Sequence, residues 1–200
     1  MDICIFGASG RELDPSYYAA AEELGALIGA RGDSIVFGGG AEGLMGACAR
    51  GVTASGGGVI GIAPRFFDEP GILYDKCSEL VFTDTMRERK QLMQDRSGAC
   101  IVLPGGIGTL EEFFEMLTLK QLGQDSRAIV LLNTNGFYAP MLELLGHLAQ
   151  ERFMSSACLG LYSVASTPSE ALAQLDSYVP QTGSLTRLSD YSKSPFSDSP

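Results

Sequence analysis

The stretch at residues 104–112, which reads PGGIGTLEE, constrains the fold more than any other part of the chain. It follows a short apolar run at residues 99–103 and opens a long helical pattern. A buried strand that breaks into glycines and then begins a helix is typical of a phosphate site, because glycines let the backbone approach an anion closely. The free N–H groups and the positive end of the helix dipole then hold the anion.

Strand-like and helical segments alternate along the rest of the chain. The predicted strands are residues 3–6, 34–37, 59–62, 80–82, 99–103, 128–132 and 161–164. The predicted helices are residues 16–30, 41–55, 86–97, 110–122, 137–151 and 168–178. Strands that are apolar on both faces and alternate with helices predict a parallel sheet covered on both sides. With right-handed crossovers, the fold class is α/β, a Rossmann-like parallel sheet flanked by helices on both faces.

Capping signals mark three of the helix starts. They are Asp14-Pro15, Thr85-Met86-Arg87-Glu88 and Thr167-Pro168-Ser169-Glu170. In the first, an N-cap residue precedes a proline at the first helical position. The second has the spacing of a capping box, in which two side chains satisfy free N–H groups. The third is predicted to cap the final helix.

The length and composition predict a single domain with a tail. A chain of 200 residues with 45% hydrophobic residues is long enough to bury a sizeable core. Residues 1–179 contain all the alternating elements, so we assign them to one Rossmann-like domain. Residues 180–200 are rich in Ser and Pro and lack hydrophobic periodicity, which predicts a mobile C-terminal tail.

Charge and cysteine content exclude several classes of partner. The formal net charge is -10, so we expect no nucleic-acid polymer and no membrane as a partner. No apolar run approaches the roughly 20 residues needed to span a bilayer. The chain has five cysteines without a CxxC pair, and its start shows no basic signal region. We therefore expect reduced thiols and a cytoplasmic location.

Four loops are predicted at the carboxyl ends of the strands, where open α/β sheets bind ligands. They comprise residues 7–10, 38–46, 84–90 and 104–112, and three of them are rich in glycine. Arg89 and Glu112 each lie in the first turn of a predicted helix, and those helices follow consecutive strands. The sequence therefore predicts one crevice with backbone donors, cations and a carboxylate, which fits a ligand that carries phosphate and hydroxyl groups.

The glycine and cation patterns in these loops also have ordinary structural interpretations. The three glycines at 38–40 are compatible with a tight turn, and they lack the GxGxxG spacing and position of a dinucleotide site. Arg87, Arg89 and Lys90 are compatible with a solvated helix face. Their position at a helix N-terminus, where the dipole disfavours cations, favours a functional role instead. His147 lies far from every glycine loop, and we expect it to be an ordinary surface or packing residue.

Two interpretations of Glu112 stay open on the residues alone. Thr109 is placed as an N-cap, and Glu112 follows at the spacing of a capping box, so the carboxylate would bond back to the Thr109 N–H. Alternatively, Glu112 is a catalytic carboxylate in the crevice. Glu111 and Glu115 are neighbouring alternatives for that role.

The helix predicted from Leu110 to Leu122 carries apolar residues on two sides. One stripe consists of Leu110, Phe113, Phe114 and Leu117, and the other of Met116, Leu119 and Leu122. We place Glu112 on the second side. A helix that is apolar on two sides is buried on both, so we expect a homodimer with this helix at the interface, beside the site.

Three linked motifs resemble the LONELY GUY family, the cytokinin riboside 5′-monophosphate phosphoribohydrolases, which are often labelled lysine decarboxylase-like. The family pattern PGGxGTxxE matches residues 104–112, and GGGxxGLMG matches residues 38–46. The element MxxRK matches Met86, Arg89 and Lys90. The similarity extends over about residues 3–175, and the motifs occur in the family's order.

The resemblance implies hydrolysis of the N-glycosidic bond of a nucleoside 5′-monophosphate, such as a cytokinin ribotide or AMP. It implies that Arg89 and Glu112 are catalytic and that no metal or organic cofactor is needed. The implied contacts to the substrate and its phosphate are Ser9, Gly39, Gly40, Gly43, Met86, Lys90, Gly105, Gly106, Gly108 and Thr109. A carboxylate suits this reaction because it stabilises the positive charge that develops on the sugar.

Two rival functions remain on the same fold. One is a non-catalytic nucleotide-binding or carrier protein. The other is lysine decarboxylation, against which the sequence argues because Lys90, beside an arginine, is the only lysine of the expected site. The motifs do not select among cytokinin, adenine and other bases.

Overall fold

A computed structural model describes residues 1–180 of the chain. Seven parallel strands form one sheet in the order β4-β3-β2-β1-β5-β6-β7. The strands are β1 (Asp2–Phe6), β2 (Ser34–Phe37), β3 (Gly58–Pro64), β4 (Glu79–Thr83), β5 (Ala99–Val102), β6 (Ala128–Leu132) and β7 (Ser163–Ala165). The predicted α/β, Rossmann-like parallel sheet is therefore confirmed.

Six α-helices connect and cover the strands. They are α1 (Pro15–Ala30), α2 (Gly43–Ala54), α3 (Met86–Asp95), α4 (Ile107–Gln121), α5 (Ala139–Gln150) and α6 (Pro168–Asp176). Helices α1, α2 and α6 pack on one face of the sheet, and α3, α4 and α5 lie on the other. Alternate residues of the central strands enter the two cores, which is why these strands are apolar on both faces.

The strand order reverses beside β1, and this reversal creates the crevice. β1 pairs with β2 on one side and with β5 on the other, both in parallel register. The connections that leave β1, β2 and β5 therefore diverge to opposite faces of the sheet. A crevice opens between such connections at the carboxyl ends of the strands, as expected for an open α/β sheet.

The predicted capping signals at three helix starts are confirmed. Asp14 accepts a hydrogen bond from the Ser16 N–H at the start of α1. At α3, Thr85 and Glu88 form the full capping box. Thr167 accepts from the Glu170 N–H at the start of α6.

The two-sided burial predicted for α4 is wrong in its orientation. The helix buries Thr109, Glu112, Phe113, Met116, Leu117 and Lys120, which form one continuous side. The sheet thus packs against the boundary between the two predicted stripes, so Met116 and Phe113 share a side. Glu112 lies on this buried side. Phe114 and Leu122 are 37% and 44% exposed, and they belong to a remaining outer apolar surface.

No helix within residues 1–180 is long and apolar enough to cross a membrane. All five cysteines are free, and Cys4 and Cys100 are buried in β1 and β5. The tail predicted at residues 180–200 lies, beyond Pro180, outside the described residues.

Candidate active site

A cavity of about 630 Å³ lies at the carboxyl ends of the strands. The connections after β1, β2, β3 and β5 contribute to its wall, and so does the first turn of α3. Arg89 and Glu112 both line it, as predicted. A volume of this size suits a nucleotide-sized ligand.

Arg89 and Glu112 form a buried ion pair at the cavity wall. Arg89 Nη1 lies 3.3 Å from Glu112 Oε1, and the two residues are 7% and 9% exposed. Arg89 Nε also donates a hydrogen bond to the Ile62 carbonyl oxygen at 3.2 Å. These contacts join α3, α4 and β3, so the two side chains have fixed positions relative to the sheet.

Burial raises the pKa of Glu112 from its ordinary 4.5 to about 7, and the neighbouring Glu111 carboxylate acts in the same direction. The Arg89 guanidinium opposes this rise by attraction and hydrogen bonding, and the Lys90 ammonium opposes it by attraction. The carboxyl group therefore changes charge near neutral pH, which is where a group that acts in catalysis is useful.

The start of α4 differs from the sequence prediction. The helix begins at Ile107 with Gly106 as N-cap, and no side chain among the described residues caps it. Thr109 is therefore inside the first turn, and the predicted capping box with Glu112 is wrong. With Gly106 as N-cap, the helix begins three residues earlier than it would with Thr109 as N-cap. The Glu112 carboxylate contacts Arg89 instead.

The uncapped first turn of α4 faces the cavity. Gly106, Ile107, Gly108 and Thr109 all line it. The first N–H groups of a helix have no intrahelical partner, and the positive end of the helix dipole lies at the same place. The first turn of α4 thus has the donors and the field of a phosphate site.

Backbone hydrogen bonds join the three glycine-rich loops. The Ala8 N–H donates to the Pro104 carbonyl oxygen at 3.0 Å, and the Leu44 N–H donates to the Ala8 carbonyl oxygen at 2.8 Å. The loop after β1 therefore lies between the loops after β2 and β5 and contacts both. This arrangement fixes the positions of the cavity's backbone donors relative to one another.

A segment at residues 65–74, which we call the flap, supplies an apolar wall. It is held against the loop after β2 because the Ala41 N–H donates to the Ile72 carbonyl oxygen and the Tyr74 N–H donates to that of Gly39. Phe67, Ile72 and Leu73 of the flap line the cavity. The segment contains three aromatic residues and one proline, but nothing in their spacing indicates a role in the site.

Lys90 contacts α4 and lies outside the cavity wall. Its Nζ is 2.5 Å from Glu111 Oε1 and 2.7 Å from Glu115 Oε2. The lysine therefore links α3 to the second and third turns of α4. Arg87 is exposed, in agreement with the solvated interpretation of that position, and His147 is exposed on α5 as expected.

Most of the predicted site residues meet at the cavity. Those that line it are Ser9, Gly40, Met86, Arg89, Gly106, Gly108, Thr109 and Glu112. Those that lie outside its wall are Gly39, Gly43, Lys90 and Gly105. Wall residues that sequence reasoning missed include Arg11, Gly38, Glu42, Met45, Phe67, Ile72, Leu73 and Ile107.

Comparison with known proteins supplies a family. The family described as "Possible lysine decarboxylase" matches residues 45–175. The "Probable cytokinin riboside 5'-monophosphate phosphoribohydrolase LOGL6" of Oryza sativa subsp. japonica is 37% identical over 90% of this chain and 72% of its own length. The chain belongs to the LONELY GUY (LOG) family. The "Cytokinin riboside 5'-monophosphate phosphoribohydrolase LOG1" of Arabidopsis thaliana, a further member, is 36% identical over 90% of this chain and 84% of its own length.

Membership of the LOG family confirms the resemblance drawn from the three motifs. Among solved structures, the molybdenum cofactor carrier protein of Chlamydomonas reinhardtii has a TM-score of 0.69 and 23% identity. The similarity covers 88% of this chain and 95% of that one. At this identity the likeness establishes only a shared fold, which is the parallel α/β sheet described above.

Proposed function

We propose that the protein hydrolyses the N-glycosidic bond of a nucleoside 5′-monophosphate and releases free base and ribose 5-phosphate. The observation that carries this proposal is the buried Arg89–Glu112 pair, which shares one cavity with the uncapped first turn of α4. One part of the site suits a phosphate dianion, and the other suits a sugar that becomes positively charged.

The phosphate lies at the start of α4 in this mechanism. The backbone N–H groups of residues 107–109 and the Thr109 hydroxyl donate to its oxygens, and the helix dipole favours its charge. Fixing the 5′-phosphate places the ribose next to Glu112, and this orientation lowers the entropic part of the barrier.

Glu112 acts on the sugar in its ionised form. As the bond between C1′ and the base nitrogen breaks, positive charge develops on C1′ and the ring oxygen, and the buried carboxylate stabilises it. Water then adds its oxygen to C1′, and its two protons go to the new hydroxyl group and to the departing base. Arg89 keeps Glu112 in position and favours its charged form.

The base occupies the apolar part of the cavity. Met45, Phe67, Ile72, Leu73 and Met86 line this part. Such side chains accept a purine ring and also an apolar substituent on it, so AMP and a cytokinin riboside 5′-monophosphate are both proposed substrates. The residues lining the cavity, all within the described part of the chain, include no lysine, which argues against a lysine decarboxylase that needs one for a Schiff base.

We further propose that two copies associate through the outer surface of α4. Ile107, Phe114 and Leu122 are 89%, 37% and 44% exposed on this helix. Ile107 also lines the cavity, so a second copy that covers this surface lies beside the site.

The free thiols support a reducing compartment, and we propose the cytoplasm.

The test is a panel of nucleoside monophosphates assayed for free base by chromatography. We expect base release by the unaltered protein and a loss of about 1,000-fold or more in kcat for Glu112→Gln, because a preorganised charge is removed from the transition state. Glu143→Gln, an exposed change on α5, is the control and should leave kcat unchanged. Monophosphates that raise the melting temperature without any base release would instead establish the carrier alternative.

A further inference from the structure

The first glycine after β2 lies directly against the Arg89 side chain. A Cβ atom added at Gly38 would lie 2.9 Å from Arg89 Cζ and 3.3 Å from Nε, and it would overlap Nη2. These are the three atoms nearest to that position, and all belong to the guanidinium group. A carbon–carbon approach of 2.9 Å is not tolerated, so any side chain at residue 38 displaces the guanidinium.

The remaining contacts of Arg89 make this displacement consequential. Its Nε donates to the Ile62 carbonyl oxygen, and its Nη1 pairs with Glu112. Because Arg89 is only 7% exposed, its guanidinium is enclosed by these partners and by the backbone at Gly38. Part of the guanidinium therefore occupies the space that a side chain at residue 38 would fill.

The three consecutive glycines differ in what they require. Gly39 has φ +80°, a conformation that side chains disfavour. At Gly40 the added Cβ meets no atom of the described residues within 4 Å. The conflict with the guanidinium is confined to Gly38, and the motif is therefore not a uniform phosphate cradle.

We propose that Gly38 is a positioning residue: the absence of its side chain provides the space in which Arg89 is held against Glu112. The kinetic part of this inference rests on the proposed function. The structural part does not, because it concerns only the relative positions of Gly38, Arg89 and Glu112.

The proposal has a measurable electrostatic consequence. Arg89 and Lys90 lower the pKa of Glu112, whereas burial and Glu111 raise it. Moving the guanidinium away from Glu112 removes the larger of the two lowering contributions. The Glu112 pKa in Gly38→Ala should therefore lie higher than in the unaltered protein.

The kinetic experiment is a double-mutant cycle on base release from AMP. We expect Gly38→Ala to lower kcat by about 100-fold, which is typical for a misplaced preorganised group. Lysine lacks Nη2 and is slimmer, so Gly38→Ala should cost less than about threefold when added to Arg89→Lys, because groups that act through one contact are not additive. Gly98→Ala is the matched control, since its added Cβ makes only ordinary contacts at the far end of β5, and kcat should not change.

An NMR titration of ¹³C-labelled glutamate carboxyl groups provides a readout that does not depend on activity. Support consists of a higher Glu112 pKa in Gly38→Ala and an unaltered one in Gly98→Ala. An unchanged Glu112 pKa in Gly38→Ala overturns the proposal whatever the turnover, and so do fully additive losses of kcat in the double-mutant cycle.

If Gly38→Ala alone lowers the melting temperature, adding Arg89→Lys must restore it. Failure to restore it also overturns the proposal. Absence of base release by the unaltered protein defeats the proposed function alone, and the titration then decides this inference.

Discussion

At the scale of single residues, the site depends on a carboxyl group whose burial and ion pair act in opposite directions. Glu112 is 9% exposed, and desolvation disfavours its charge more strongly than Arg89 favours it. A carboxylate in this condition is weakly hydrated, so its interaction with a developing positive charge is strong. The same burial means that the ionised form, which the proposed mechanism requires, is not fully populated at neutral pH.

The pH dependence of catalysis follows from this balance. With the Glu112 pKa raised to about 7, the carboxyl group of the free protein is mostly protonated at lower pH and mostly ionised at higher pH. In the proposed mechanism the ionised form stabilises the transition state, so kcat/KM for AMP should rise about tenfold from about pH 6 to about pH 8. Initial rates of adenine release across this range measure the profile.

The substrate phosphate also titrates near pH 6, so the assignment needs a control. The kinetic pKa should equal the Glu112 pKa obtained by carboxyl NMR on the free protein. A flat profile, or a rate that falls as pH rises, would mean that Glu112 does not act as a carboxylate.

At the scale of elements, the starts of two helices have opposite chemistry. Helix α3 begins with the Thr85–Glu88 capping box, whereas no side chain within residues 1–180 caps the start of α4. The cap fixes where α3 begins and thereby where Arg89, in its first turn, projects. The missing cap on α4 leaves N–H groups available to a ligand. The start of α3 therefore positions a side chain, and the start of α4 is the phosphate site that we propose.

Removal of the α3 cap should affect both stability and turnover. We expect Thr85→Ala to lower the free energy of unfolding by ~1 kcal/mol, as is usual for a lost N-cap. It should also lower kcat, because the first turn that carries Arg89 frays. Urea unfolding and base release measure the two effects.

Thr167→Ala is the matched control for this prediction. It removes the equivalent cap from α6, which packs on the opposite face of the sheet. A similar loss of stability with unchanged kcat is expected there. Equal losses of kcat in the two variants would show that the effect is global and not transmitted through Arg89.

At the scale of the whole molecule, the sheet brings distant segments to one cavity and leaves an apolar helix surface beside it. Ile107 belongs to both, since it lines the cavity and is 89% exposed. Association through α4 would cover Ile107 and Phe114 and remove apolar area from water, which is the usual driving force for a stable homodimer.

A charge placed on this surface should separate the copies. We expect the unaltered protein to have the mass of two chains by size-exclusion chromatography with light scattering. Phe114→Glu should have the mass of one chain, because it places like charges in a desolvated two-fold interface. Val179→Glu, at a residue 77% exposed after α6, should remain dimeric. A monomeric unaltered protein at micromolar concentration would contradict the proposed dimer.

The sequence by itself determined the fold class and the position of the site. Strand and helix positions follow from local patterns: apolar runs of strand length, and capping residues within three or four positions of each other. The predictions for β2 and β6 coincide with the structure, and the box at Thr85 is present. The three motifs placed Arg89 and Glu112 at the same edge of the sheet, because the carboxyl ends of parallel strands share an edge.

Only the tertiary structure decided what each side chain at that edge contacts. The Thr109–Glu112 spacing fits a capping box, but the Glu112 carboxylate instead accepts a hydrogen bond from Arg89, which is 23 positions away. Lys90 contacts two glutamates of α4, Gly38 lies against a guanidinium from α3, and the flap supplies the apolar wall. These contacts depend on distances between segments far apart in sequence, and no local pattern encodes such distances. Spacing thus indicates which loops reach the cavity, and packing decides which of their residues line it and which side chains meet.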